Sequence, residues 1–153
     1  ASVLIHYYGV KSEFYLVDNN DYSLTLKSGR RLKFMTTPFM HFPAAIVTYD
    51  ETSKILFSSD IFGAISKDWN LYASEGYQEK MATFHKGYMP SNKFLNAFVE
   101  KIEPLDIEMI LPQHGSVIKG DMVPKCMDFL KTLKVGLDLA STDEELYGWI
   151  PKA

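Results

Sequence analysis

Between Ser12 and Asp60 the apolar residues fall at alternate positions or in short β-branched and aromatic runs, the pattern of strands. The segment "SEFYLVDN" is rich in such residues and closes on the turn-prone Asn19-Asn20-Asp21, so it is expected to be a strand. In "YSLTLKSG" Leu24 and Leu26 alternate with polar residues. Ser28-Gly29 is a hairpin signal leading into "RRLKFMTT", where Leu32 and Phe34 alternate with Arg31 and Lys33. Two further apolar runs, "AIVTYD" and "KILFSSD", are joined by "ETS" and read as a hairpin of buried strands.

After Gly63 the period changes. "SEGYQEKMATFHKGYM" and "SNKFLNAFVEKIE" carry apolar residues at helical spacing, Phe94, Leu95, Phe98, Val99 and Ile102 in the second. Pro90 sits just before that helix, and Ser91 or Asn92 can cap it. "IEMIL" predicts a short buried strand ending at Pro112. A last amphipathic helix is expected from Asp121 to Leu139, with Met122, Met127, Phe129, Leu130 and Leu133 on its apolar side. Strands followed by helices, with one late strand, point to an α/β layered domain over residues 1–140. Residues 141–153, acidic and then aromatic, read as a C-terminal tail or linker. The opening "SVLIHYYG" is apolar and aromatic with no capping or turn signal ahead of it, which suggests a fragment of a larger domain.

The 153 residues, 46% hydrophobic and 23% charged, suffice for one domain with a core. A formal charge of −3 argues against a protein that grips nucleic acid through phosphate contacts. No apolar run approaches the roughly 20 residues of a membrane span, and the start lacks the charged region of a signal peptide. A single cysteine, Cys126, excludes an internal disulfide and fits a reducing compartment, so a cytoplasmic location is expected.

Three polar side chains stand at strand ends. His41 follows "RRLKFMTT" through the connector "PFM", Asp60 ends "KILFSS", and His114 follows "IEMIL" in the tight turn "PQHG". Loops at strand ends present chemistry from a rigid sheet, and imidazole with carboxylate suits zinc or iron. Alone, each has an ordinary explanation: a core histidine bonded to a carbonyl, a turn or cap aspartate, a common His-Gly pair. His6 reads as packing or surface. His85 reads as a cation at a helix end, favoured there by the dipole, and Cys126 as a small buried hydrophobe. There is no glycine-rich phosphate loop, no nucleophile elbow and no C-x-x-C, so the chemistry rests on His41, Asp60 and His114 as a set.

The set has an order: Pro38-Phe39-Met40-His41-Phe42-Pro43, then "ILFSSDIFG" from Ile55 to Gly63, then Pro112-Gln113-His114-Gly115. With these motifs, over roughly residues 4–139, the chain resembles the C-terminal half of a metallo-β-lactamase-fold domain of the flavodiiron, oxygen-binding diiron type. The resemblance implies half of a four-layer αβ/βα sandwich, a mixed sheet with helices packed on one face. It implies that His41 binds one of two non-haem irons, His114 the other, and that Asp60 bridges them. The family's remaining ligands come from an H-x-E-x-D motif in an N-terminal half, which this chain does not match, and its FMN domain is not on this chain.

The resemblance therefore implies a protein that binds and can reduce O2 or NO, with this chain supplying part of the metal site. Its partners would be the missing N-terminal half, an external electron donor and a second copy in a homodimer; alone the chain would be inactive. Phe42, Phe62, Tyr72 and Tyr88 either wall the pocket or pack as ordinary core. Two rivals stand beside this reading: a dizinc hydrolase on the same fold, and a non-catalytic oxygen-sensing or interaction domain.

Overall fold

The computed structural model describes residues 8–9 and 11–140. His6 and the segment 141–153 lie outside them. Six strands form one sheet in chain order: β1 (Ser23–Thr25), β2 (Arg31–Thr36), β3 (Ile46–Asp50), β4 (Ile55–Ser59), β5 (Met109–Pro112) and β6 (Ile118–Lys119). All neighbours are antiparallel except β4 and β5, which run parallel. Parallel neighbours need a long crossover, and here it carries two helices, α1 (Tyr77–Tyr88) and α2 (Asn92–Ile102). A third, α3 (Met122–Thr132), follows β6.

The period-two pattern decides which side of the sheet each residue meets. Met35, Val47, Leu56, Ile110 and Ile118 face the helices and are buried with Met81, Leu95, Phe98, Val99, Ile102, Cys126 and Leu130 in one core. Each fully buried aliphatic side chain there contributes roughly 1.5–3 kcal/mol. In α2 the buried positions Leu95, Phe98, Val99 and Ile102 follow the helical repeat, and the Ser91 hydroxyl caps the helix by accepting from Lys93 N–H. Pro124 is tolerated in α3 because first-turn N–H groups have no partner within the helix.

The opposite side of the sheet is also apolar. Register aligns Phe34, Thr48, Phe57 and Leu111 in one row, and Leu32, Asp50, Ile55 and Met109 in the next. Phe57 is 44% exposed on it.

Two expectations are corrected, and one strand was not expected. "SEFYLVDN" is not a strand: Val17–Asn20 is a 3-10 turn. Its Asn and Asp side chains bond to local backbone, Asn20 to Leu16 C=O and Asp18 to Asn19 N–H, and Asp21 and Tyr22 have positive φ. The last helix stops at Thr132, because Leu133 and Val135 turn extended before a second 3-10 turn at Gly136–Leu139. Strand β6 was not foreseen; two residues are too short to show a period.

Candidate metal centre

Strands β2, β4 and β5 all point the same way, since β3 runs antiparallel to both β2 and β4, and β5 parallel to β4. Their C-terminal ends therefore share one edge of the sheet, and His41, Asp60 and His114 each follow one of these ends. The topology alone brings the residues singled out by sequence to one place.

There the two oxygens of one carboxylate face two different imidazoles. Asp60 Oδ2 lies 3.3 Å from His41 Nε2, and Asp60 Oδ1 lies 3.5 Å from His114 Nε2. The side chains of His41, His114 and Asp60 are 41%, 34% and 17% exposed, so the group opens outward rather than into the core. Among the described residues, no three His, Cys, Asp or Glu side chains close into a metal-binding group by themselves. One carboxylate between two imidazole nitrogens is a donor set that could contribute to a zinc or iron site.

The backbone around these residues is held in costly conformations. Phe39, Ser59 and Phe62 have positive φ, and each lies within two residues of His41 or Asp60. Non-glycine residues in this region cost on the order of 1 kcal/mol or more and persist where the surroundings enforce them, often at functional sites. Two glycines are required by close approach. A Cβ on Gly63 would stand 2.7 Å from His114 Cε1, and one on Gly115, itself at φ +100°, would stand 2.6 Å from Tyr77 Oη. The glycines of "DIFG" and "PQHG" thus let two loops interlock. Ala64 N–H donates to His114 C=O, and His114 Nδ1 lies 3.2 Å from Ala64 C=O. Donation from Nδ1–H to that carbonyl holds the ring with Nε2 turned to the Asp60 side.

Phe84 packs against both imidazoles, its ring near-perpendicular to that of His114 at 4.4 Å and to that of His41 at 6.4 Å. Tyr88, one turn on, stacks on Phe84 at 4.8 Å and meets His41 at 5.5 Å. Of Phe42, Phe62, Tyr72 and Tyr88, read as either pocket wall or ordinary core, Tyr88 makes a ring contact with a candidate histidine among the described residues. Phe62 is fully buried against Phe98, and Tyr72 sits under the Lys119 ammonium. Sequence reading missed Phe84, although its i, i+4 spacing from Tyr88 on an amphipathic helix was the available signal.

His85 corrects a further expectation. It stands in the last turn of α1 as read, but as a neutral ring and not a cation: it is fully buried, and burial pushes its pKa down to about 4. Cys126 is buried as expected, its thiol pushed up to about 12 by desolvation. Among the described residues no helix is long and apolar enough to cross a membrane.

The chain is 35% identical over 119 residues to an uncharacterized protein of Methanocaldococcus jannaschii, covering 74% of this chain and 30% of the relative. Among solved structures it is similar to the chemotaxis sensor ODP in a peroxy diiron state, with 38% identity, TM-score 0.73, and coverage of 76% of this chain and 51% of the sensor. The apo sensor, from T. denticola, matches with TM-score 0.72 and 37% identity over 76% of this chain and 50% of the sensor. A mutant flavo di-iron protein from Thermotoga maritima matches with TM-score 0.71 and 25% identity over 85% of this chain and 33% of that one. The chain thus spans from under a third to about half of the lengths of these relatives. The fold is an α/β one, consistent with half of a metallo-β-lactamase-like domain. Over residues 1–115 it matches the ODP family of beta-lactamases, and it belongs to that family.

Proposed function

We propose that this chain supplies one side of a non-haem diiron centre that binds O2 or NO. His41 holds one iron, His114 holds the other and Asp60 bridges them. The observation that carries this is the pairing of each Asp60 oxygen with a different imidazole, at 3.3 and 3.5 Å. Two similar solved structures are named for diiron centres, which favours iron over zinc. The donors fit such a pair but are too few to hold it, because metal affinity builds up ligand by ligand. An N-terminal half with the remaining ligands completes the site. Its natural seat is the apolar outer face of the sheet, around Phe34, Phe57 and Leu111.

The iron pair supplies the redox chemistry toward O2 or NO. The residues of this chain orient and shield it. The Ala64 carbonyl orients the His114 ring with Nε2 toward Asp60, Asp60 keeps one oxygen for each histidine, and Phe84 and Tyr88 pack against the imidazole rings. Electrons come from an external donor, and FMN is not held by this chain. The similarity to a chemotaxis sensor favours sensing over turnover as the output.

Metal analysis and the visible spectrum of the protein assembled with its other half test this. Two irons per site with ferric absorbance are expected, lost in His41→Ala and His114→Ala. Zinc without visible absorbance points instead to the dizinc hydrolase, and unchanged metal content in both variants to an interaction domain.

A further inference from the structure

Helix α1 sends two buried polar side chains to the same residue, Phe62, and neither is a candidate ligand. Phe62 N–H donates to His85 Nε2 at 3.2 Å, and the Tyr77 hydroxyl donates to Phe62 C=O at 3.1 Å. His85 Nδ1 is 2.8 Å from Met81 C=O, one turn back in the helix. With Nδ1–H donating there, Nε2 is left as an acceptor. The same Tyr77 oxygen accepts from Ser116 N–H at 3.2 Å. Phe62 lies two residues after Asp60, and Ser116 two after His114, so a single hydroxyl joins the loops that carry both. Phe62 and His85 are fully buried, and Tyr77 and Ser116 nearly so.

Core packing accounts for burial but not for this wiring. Any buried N–H or C=O needs a partner, yet here both polar groups of one residue are taken by opposite ends of one helix. That residue has φ +66°, a conformation a phenylalanine does not hold without enforcement. Burial also pushes the Tyr77 phenol up to about 12, so it stays a donor at neutral pH.

The geometry points to Tyr77 and His85 as positioning residues that clamp the Asp60 and His114 loops together and so set the spacing between bridge and terminal ligand. This rests on the diiron reading above. Loss of the clamp leaves every ligand present but misplaced, and supporting groups of this kind typically change metal affinity by about 10–100-fold.

The experiment compares four variants of the protein assembled with its other half: Tyr77→Phe, His85→Ala, His85→Gln and, as a remote core control, Val99→Ala. The readouts are iron affinity by competition with a chelator, thermal midpoint, and the His114 ring resonances of the metal-free protein. A clamp predicts that Tyr77→Phe and His85→Ala weaken iron binding about 10–100-fold. His85→Gln, whose amide oxygen can reach the place of Nε2, restores it. Val99→Ala lowers the midpoint with iron affinity unchanged. If Tyr77→Phe and His85→Gln bind iron as the wild type does and His85→Ala weakens it no more than Val99→Ala, the clamp is overturned. If the wild type binds no iron, the diiron reading fails, and the metal-free resonances still decide the clamp. A shift of the His114 ring in Tyr77→Phe but not in Val99→Ala supports it; no shift overturns it.

Discussion

The α-carbon of Gly63 faces the imidazole of His114 so closely that a methyl group there would stand 2.7 Å from Cε1 and 2.8 Å from the Asp60 carbonyl oxygen. The ring can swing away, but the carbonyl belongs to the backbone of a loop already strained at Ser59 and Phe62. Gly63→Ala is therefore expected to cost about 1–3 kcal/mol, the usual penalty of overpacking, and to displace His114 from Asp60. Thermal denaturation measures the first effect and iron content the second. A variant with wild-type iron content would show that the loop contact does not position the histidine.

His85 makes stability depend on pH. Its pKa is about 4 in the folded protein against an ordinary value of 6.5, because burial penalises the charged ring. Between these values the unfolded chain binds a proton that the folded one refuses, so stability is full above about pH 6.5 and falls as pH drops toward 4. The loss amounts to about 3 kcal/mol. Urea unfolding at pH 7 and pH 4.5 should show a clearly smaller pH dependence for His85→Gln than for the wild type. Equal slopes would remove His85 as the cause.

The fold and the candidate site were legible in the sequence to different depths. Leu32 and Phe34 announced β2 by alternating with polar residues, and Ile55 to Phe57 announced β4 as an apolar run. The core nevertheless buries Met35 and Leu56, while Leu32, Phe34, Ile55 and Phe57 lie on the outer face. Helix α2 announced itself through a one-sided apolar repeat. His41, Asp60 and His114 could be placed at strand ends, but their convergence depends on β2, β4 and β5 running in one direction, a property of pairing rather than of local pattern. Phe84, Tyr77 and His85 were hidden for a related reason. On an amphipathic helix a residue that supports a site and one that fills a core share the same spacing. "SEFYLVDN" misled because aromatic content signals strand, while side-chain bonds from Asp18 and Asn20 hold a turn.

Cys126 should be inert in the folded protein. Only the thiolate reacts with alkylating agents, and burial pushes this thiol up to about 12. At pH 8 no labelling by iodoacetamide is expected until denaturant is added, when one equivalent reacts. Cys126→Ser should destabilise by about 1–3 kcal/mol through a buried hydroxyl without a partner, and Cys126→Ala by less. Rapid labelling under native conditions would mean that α3 opens far more readily than its packing suggests.

Asp138 explains why the chain beyond α3 matters. Its carboxylate accepts from the Ser91 hydroxyl at 2.8 Å and from the N–H groups of Asn92 and Val135, tying the 3-10 turn to the start of α2. Burial opposes its ionisation, but these bonds outweigh that and hold the carboxyl below its usual range. Its contribution is thus present above the ordinary carboxylate pKa and is lost as pH falls through the lowered one. Asp138→Ala should cost about 1–2 kcal/mol, as for loss of a helix cap. Unfolding midpoints at pH 7 and pH 3 check this, with a smaller difference between variant and wild type at the lower pH.

The outer face of the sheet provides a test of whether a second half-domain completes the site. Phe57 is 44% exposed and sits in register between Thr48 and Leu111, in a row that begins at Phe34. Sheets pack face to face through such rows, and a lysine in the middle of one forces a charge into the interface while leaving this chain's own core untouched. Phe57→Lys should therefore leave the circular dichroism of the isolated chain unchanged, weaken its association with the other half at least tenfold, and remove iron with it. Association measured by titration calorimetry gives the answer. Undiminished binding would place the partner elsewhere, and the ligands that complete His41, Asp60 and His114 would then have to arrive from the open edge of the sheet.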